Sequence, residues 1–246
     1  MSEYRDLFDA RGSRYNLANR MFPEARREEA DGMLAFLDMP ADALWLDVGA
    51  GGGFLAQSAP EGAVAVGCDE SAAFVSEATG YALCAVADYR RLPFSDGVFD
   101  ASACLAVLHH AEEPERVIGE MLRVTRRGGR AGVGDVAAGS KASVFLNDFV
   151  NAHTEAGHAG RFRPPEALAR FFLAAGGGSI RADARLVRWS FPDRGGARRF
   201  CHELFGLRPD TDDAALDGAL DALGIAESAG RWIVPWEMAF VSAAAG

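Results

Sequence analysis

Between residues 44 and 137, short apolar runs alternate with polar stretches patterned as helices. The runs are LWLDV (Leu44–Val48), AVAVGCD (63–69), YALCAVAD (81–88), VFDASACLAVL (98–108) and RAGVGDVA (130–137). None keeps a strict apolar–polar alternation, so each suits a strand covered on both faces, as in a parallel sheet between helices. Ser71 stands as an N-cap for a helix over 71–79. Pro114 opens another over 114–127, with acids early, arginines late and Gly128-Gly129 as its stop. This alternation predicts a doubly wound, Rossmann-like α/β domain.

The flanks follow a different rhythm. Residues 1–40 read as an amphipathic helical cap, with Pro23 starting its second helix. A helix over 143–158 and another from Pro164-Pro165 to about 175 predict a lid spanning 140–175. Residues 180–191 and 232–242 are rich in Val, Trp, Phe and Ile and read as late strands within 180–246, separated by a helical insert at 194–223. With no repeat, low-complexity tract or linker, 1–246 is expected to form one domain around the core at 44–137.

The 246 residues are 49% hydrophobic and 24% charged, enough for a core without disulfides or a structural metal. Lys and Arg number 25 against 35 Asp and Glu, a formal charge of −10. Such a balance repels phosphate backbones and anionic lipid, so neither nucleic acid nor membrane is expected as a partner. Four cysteines without a CxxC motif suggest buried thiols in a reducing compartment. The polar N-terminus has no signal-peptide core, and no apolar run reaches membrane-spanning length. A soluble cytoplasmic chain is expected, as monomer or homodimer.

The sharpest chemical feature is Asp47-Val-Gly49-Ala50-Gly51-Gly-Gly53, directly after the first strand and before an expected helix. Glycines here let the chain turn tightly and let a ligand approach bare backbone. The second strand ends in Asp69, twenty residues beyond Gly49, where a carboxylate can accept from ribose hydroxyls. The third ends in Asp88-Tyr89, where an acid can accept from an adenine amino group. The GxGxG spacing fails the dinucleotide fingerprint GxGxxG, which argues against a nicotinamide-dependent oxidoreductase, and no GK[ST] follows for a triphosphate loop.

In order and spacing, DVGAGGG, CDES, ADYRRLPFSDGVFD, LHH and PERVIGEMLRVTRRGGR resemble the motifs of class I S-adenosylmethionine (SAM)-dependent methyltransferases. The branch they resemble includes the ubiquinone/menaquinone-biosynthesis methyltransferases. The resemblance covers about residues 44–136 and implies a seven-stranded sheet whose last strand is antiparallel. It implies that Gly49, Ala50, Gly51 and Gly53 surround the methionine end of SAM, with Asp47 organising the loop. Asp69 would hold the ribose, with Glu70 beside it, and Asp88 and Tyr89 would frame the adenine. Cys104 and Leu105 would lie near the carboxylate and sulfonium. S-adenosylhomocysteine (SAH) would be the product. Arg126-Arg127 stands where the family often has Lys-Pro, which alters a turn and not the chemistry.

Methyl transfer is an in-line displacement, so the protein aligns the reactants and excludes water. A base helps only where the acceptor must lose a proton. His110 or His153 is expected to serve as that base. His109, His158, Phe145, Phe149 and Phe162 are expected to line a small, partly apolar acceptor, and Tyr15 of the cap to reach the cofactor. His153, Glu155, His158 and Asp148 offer metal donors, but HTEAGH matches no ligand spacing such as HExxH, and no metal is expected. Two other readings keep the cofactor: a SAM-fold enzyme with a different reaction, and a non-catalytic SAM-binding protein. An intact glycine loop and ribose acid weigh against the latter.

Overall fold

The computed structural model describes residues 3–246. Three parallel strands come first: β1 (Leu44–Val48), β2 (Val64–Asp69) and β3 (Leu83–Val86). They are followed by β4 (Phe99–Leu105) and β5 (Thr125–Val136), then β6 (Gly178–Phe191), β7 (Ala226–Ser228) and β8 (Arg231–Ala244). The sheet order is β3-β2-β1-β4-β5-β8-β6, with β8 antiparallel to both β5 and β6. This is the expected seven-stranded plan with the last strand reversed. One short strand is added, β7, which forms a hairpin with β8.

Helices cover both faces, and each inner strand feeds both cores because its side chains alternate. Trp45, Ala101 and Ala103 point into one core, while Leu46, Val48 and Cys104 point into the other. The second core is closed by α3 (Ala72–Glu77), α4 (Pro114–Val124) and α7 (Pro165–Ala174). Val117, Ile118, Met121 and Leu122 form the buried stripe of α4, spaced three and four residues apart. On the first core lie α2 (Arg27–Leu37), α8 (Arg194–Phe205) and α9 (Asp213–Leu223). α1 (Glu3–Met21) precedes α2, and α8 and α9 lie between β6 and β7.

Several boundaries differ from the sequence reading. No α-helix follows the glycine loop; the chain makes turns and a single 3-10 turn at Ala56–Ser58 before β2. Helix α4 stops at Val124 and passes directly into β5, so Gly128-Gly129 lies inside a strand and not at a helix end. The third strand is shorter than 81–88, and its Leu83 and Val86 are exposed at the sheet edge. The lid helix is a composite: α5 (Lys141–Val144), a π-helical stretch (Phe145–Val150) and α6 (Asn151–His153). It ends five residues before His158. From there the chain folds back over β5, where Arg163 bridges Ala137.

Candidate active site

The strand order reverses between β1 and β4, and in open α/β sheets ligands bind outside the carboxyl ends at such a point. Two loops meet there, 49–53 after β1 and 106–110 after β4. Gly49 and Ala50 both donate their N–H groups to Cys68 O, which ties the glycine loop to β2. Gly49, Gly51 and Gly53 have φ of +84°, +51° and +98°, the left-handed region that favours glycine. They serve different purposes. A Cβ on Gly49 would fall 2.4 Å from Val107 Cγ2, and one on Gly53 would fall 1.9 Å from Thr79 O. A Cβ on Gly51 would meet nothing nearer than Tyr15 Cε1 at 3.8 Å. Gly51 is therefore the bare backbone turned toward ligand space. Gly53 is a packing glycine, which corrects its expected place beside the cofactor.

Tyr15, Asp47, Gly49, Ala50, Gly51, Phe54, Phe74, Leu105 and Val107 border the cleft over this loop. Tyr15 comes from α1, as expected, with its ring edge-on to Phe74 at 5.5 Å between centroids. Its hydroxyl accepts from Arg26 Nη1 at 2.7 Å. Arg26 is buried and held by Glu29, which also accepts from Trp189 Nε1. This network pins the cap to β6.

Asp47 is buried, and burial pushes its pKa up to about 7, against the hydrogen bond donated by Tyr81 Oη at 2.7 Å. The nearby Asp69 carboxylate pushes it further upward. Asp69 is itself fully buried, accepting from Gly51 N–H at 3.0 Å and Ser71 N–H at 2.9 Å. Two carboxylates thus lie directly beneath the open glycine. Glu70 is buried beside Asp69, and its N–H donates to Tyr89 Oη. Asp88 is half-exposed, where hydrogen bonds from Arg90 hold its pKa below the usual carboxylate value. Cys104 is fully buried beneath the sheet face, and burial pushes its thiol far up. Leu105, not Cys104, reaches the cleft.

A second cleft of about 810 Å³ adjoins the loop after β4, bordered by Arg11, Arg14, His109, His110, His158 and Phe205 among others. Ala106, at φ +57°, turns the chain out of β4, and Leu108–His110 form a 3-10 turn. His109 is locked twice by Asp135 of β5: its N–H donates to Oδ2 at 2.8 Å, and Nδ1 lies 2.7 Å from Oδ1. His110 packs on His109 at 4.0 Å between centroids. Burial holds the His110 pKa well below that of a free imidazole, and brings His158 down to about 3. Both are neutral imidazoles at pH 7.

The lid chain brings His158 here through two asparagines on one helix face. Asn151 Oδ1 accepts from His158 N–H at 2.7 Å. Asn147 Oδ1 accepts from Gly160 N–H, and its Nδ2 donates to Gly160 O. Arg161 N–H then donates to His109 O. Phe162 closes the cluster, 4.9 Å from His109 and 5.9 Å from His158 between centroids.

His109, His110, His158 and Phe162 come together, while three other residues named from the sequence do not join them. His153 stacks on Phe149 at 4.1 Å, with Nδ1 2.7 Å from Phe149 O, and does not border the cleft. Phe145 is buried against Phe205 and Trp236 in the core, with Phe149 stacked on it. All three belong to the helix-to-core contact, because the lid helix ends before the chain turns back to the cleft. Asp135, Asn147, Asn151 and Arg11 were missed. The i,i+4 pair of asparagines was the available sequence signal for the lid clamp.

Residues 46–133 match the family model described as a methyltransferase domain. A demethylmenaquinone methyltransferase of Thermobifida fusca is 33% identical over 134 residues, 50% of this chain and 57% of that protein. One of Beutenbergia cavernae is 37% identical over 133 residues, 50% of this chain and 54% of its own. The chain thus spans little more than half the length of these relatives. Among solved structures, a SAM-dependent methyltransferase of Thermotoga maritima superposes with a TM-score of 0.66 at 14% identity, covering 98% of this chain and 99% of that one. Phosphoethanolamine N-methyltransferase 2 of Haemonchus contortus, in complex with SAM, gives 0.61 at 15% identity, covering 98% and 59%. At such identities the likeness is one of fold. The family match falls on the strands and loops that build the glycine-loop site, so that site lies within a region, residues 46–133, similar to a methyltransferase domain.

Proposed function

We propose that this chain transfers a methyl group from SAM to an oxygen, nitrogen or carbon of a small, partly apolar metabolite. The observation that carries this is Gly51, a backbone open to ligand above two buried carboxylates, Asp47 and Asp69. A ligand bearing an ammonium and a sulfonium suits buried carboxylates. When bound, SAM supplies an activated methyl on sulfur.

The chain's own residues then hold and orient. Gly49, Ala50, Gly51 and Leu105 receive the methionine end, Asp69 with Glu70 the ribose, and Asp88 with Tyr89 the adenine. Tyr15 closes over the loop from the cap. His110, neutral and beside the Asp135-locked His109, takes a proton from an acceptor that must lose one. His158 and Phe162 wall the acceptor. The relatives' name makes a demethylmenaquinone-like ring the first acceptor to try. Among the described residues no helix is long and apolar enough to cross a membrane. A cytoplasmic monomer or homodimer without nucleic acid completes the reading.

Incubation with methyl-labelled SAM and a reduced naphthoquinone acceptor should give labelled product, and Asp69→Ala should weaken SAM binding by about 1–3 kcal/mol through lost charge-assisted bonds. Unchanged affinity in a folded Asp69→Ala variant would overturn the ribose assignment.

A further inference from the structure

Three histidines from two separate segments meet at the floor of the second cleft. Their ligating nitrogens, on His109, His110 and His158, all lie within 4.8 Å of one another. Imidazoles around a tetrahedral zinc, with Zn–N near 2.0–2.1 Å, bring their nitrogens to roughly 3.3 Å apart. Binding would draw the nitrogens inward by at most about 1.5 Å.

The surroundings hold the set in place. His109 Nδ1 is engaged by Asp135 Oδ1 at 2.7 Å, which turns Nε2 outward. A carboxylate behind a ligating imidazole is the usual support of such sites, fixing tautomer and raising basicity. His158 Nδ1 lies 3.4 Å from Asn147 Oδ1, and its backbone is clamped by Asn151. On the other side the cleft is open, so a fourth position is reachable by water or by an acceptor atom. Among the described residues, Arg11 faces His110 and His158 as a cation and Asp135 faces His109 as an anion.

We propose that His109, His110 and His158 form a site for a divalent transition-metal ion of the zinc type, with its fourth position open to the cleft. An all-imidazole set selects zinc, copper or nickel over magnesium and calcium, which take oxygen ligands. Three protein ligands and one open position are the pattern of a catalytic and not a structural zinc. An acceptor hydroxyl or enol held there would ionise more easily. The site rests on the histidines alone and stands without the methyl-transfer reading; with an ion bound, His110 is a ligand and no longer the base, and the ion itself eases the acceptor's ionisation.

The full chain, stripped with a chelator and dialysed, would be titrated with Zn²⁺ by calorimetry and with Co²⁺ by visible absorption. The expected result is one equivalent of each, with Co²⁺ bands of a four- or five-coordinate nitrogen site and no sulfur charge-transfer band. Mg²⁺ should give no response. His110→Gln and His158→Gln should each lower Zn²⁺ affinity at least tenfold, and Asp135→Asn by about 10–100-fold. Circular dichroism and SAH titration check that each variant is folded. Absence of stoichiometric binding in the unaltered chain would overturn the site, as would a cobalt spectrum dominated by thiolate. Full affinity in both folded glutamine variants would do the same.

Discussion

A single side chain decides what each glycine of the loop can tolerate. Gly51→Val should abolish SAH binding at the cost of backbone strain alone, about 1–2 kcal/mol at φ +51°, because its Cβ meets only Tyr15 and Phe74 at ordinary contact distance. Gly49→Ala should destabilise the fold more, by about 2–4 kcal/mol, since it adds an approach of 2.4 Å to Val107 to a φ of +84°. Calorimetry and thermal unfolding of the pair separate the roles; equal loss of stability in both would make the loop purely structural. Asp47 gives a pH signature. Its carboxyl ionises near its ordinary pKa of about 3.9 in the unfolded chain and near 7 in the fold. The stability contributed by this group is full below about pH 4 and is lost as pH rises through about 7. A cationic cofactor favours the ionised form, so SAM affinity should climb from about pH 6 to about pH 8 with release of a proton. Tyr81→Phe, which removes a bond that lowers the Asp47 pKa, should move that climb to higher pH. Affinity flat across this range, in both proteins, would contradict the placement of Asp47 beneath the cofactor.

At the level of elements, the lid divides into a helix that packs and a loop that reaches. Phe162→Ala should lower turnover or acceptor affinity several-fold with SAH affinity unchanged, because Phe162 covers His109 and His158. Phe149→Ala should cost about 1–3 kcal/mol of stability while turnover holds, because Phe149 packs on Phe145 and His153. Turnover measured at saturating SAM distinguishes these; the reverse pattern would return Phe149 to the acceptor pocket. The inner strands were legible because continuous apolar runs such as LWLDV have few other uses, and Ser71 was legible as a cap because it accepts from Phe74 N–H as a cap must. The helix expected after the glycine loop does not form, since Gly52, Gly53 and Pro60 leave too short a span for one. His158 and His153 looked alike in sequence. Only the bonds from Asn147 and Asn151, and the return of the chain across β5, decide that one borders the cleft and the other stacks on Phe149.

Across the whole molecule, the switch point of the sheet sets two clefts side by side, one over the glycine loop and one under the lid. The cap helix α1 joins them: it packs on α3 and α8, and Tyr15 and Arg11 line one cleft each. The family match covers the first cleft, whereas the lid and insert that shape the second lie beyond residue 133. In the proposed function the first cleft recognises the cofactor and the second the acceptor, and the claim on which everything rests is that the first takes a SAM-type nucleoside. Calorimetric titration of the unaltered chain with SAH, and in parallel with NAD, tests this most directly. The account predicts binding of one SAH per chain, no heat with NAD, and loss of the SAH signal in Gly51→Val. Heat with NAD but none with SAH, or SAH binding indifferent to Gly51→Val, would contradict it.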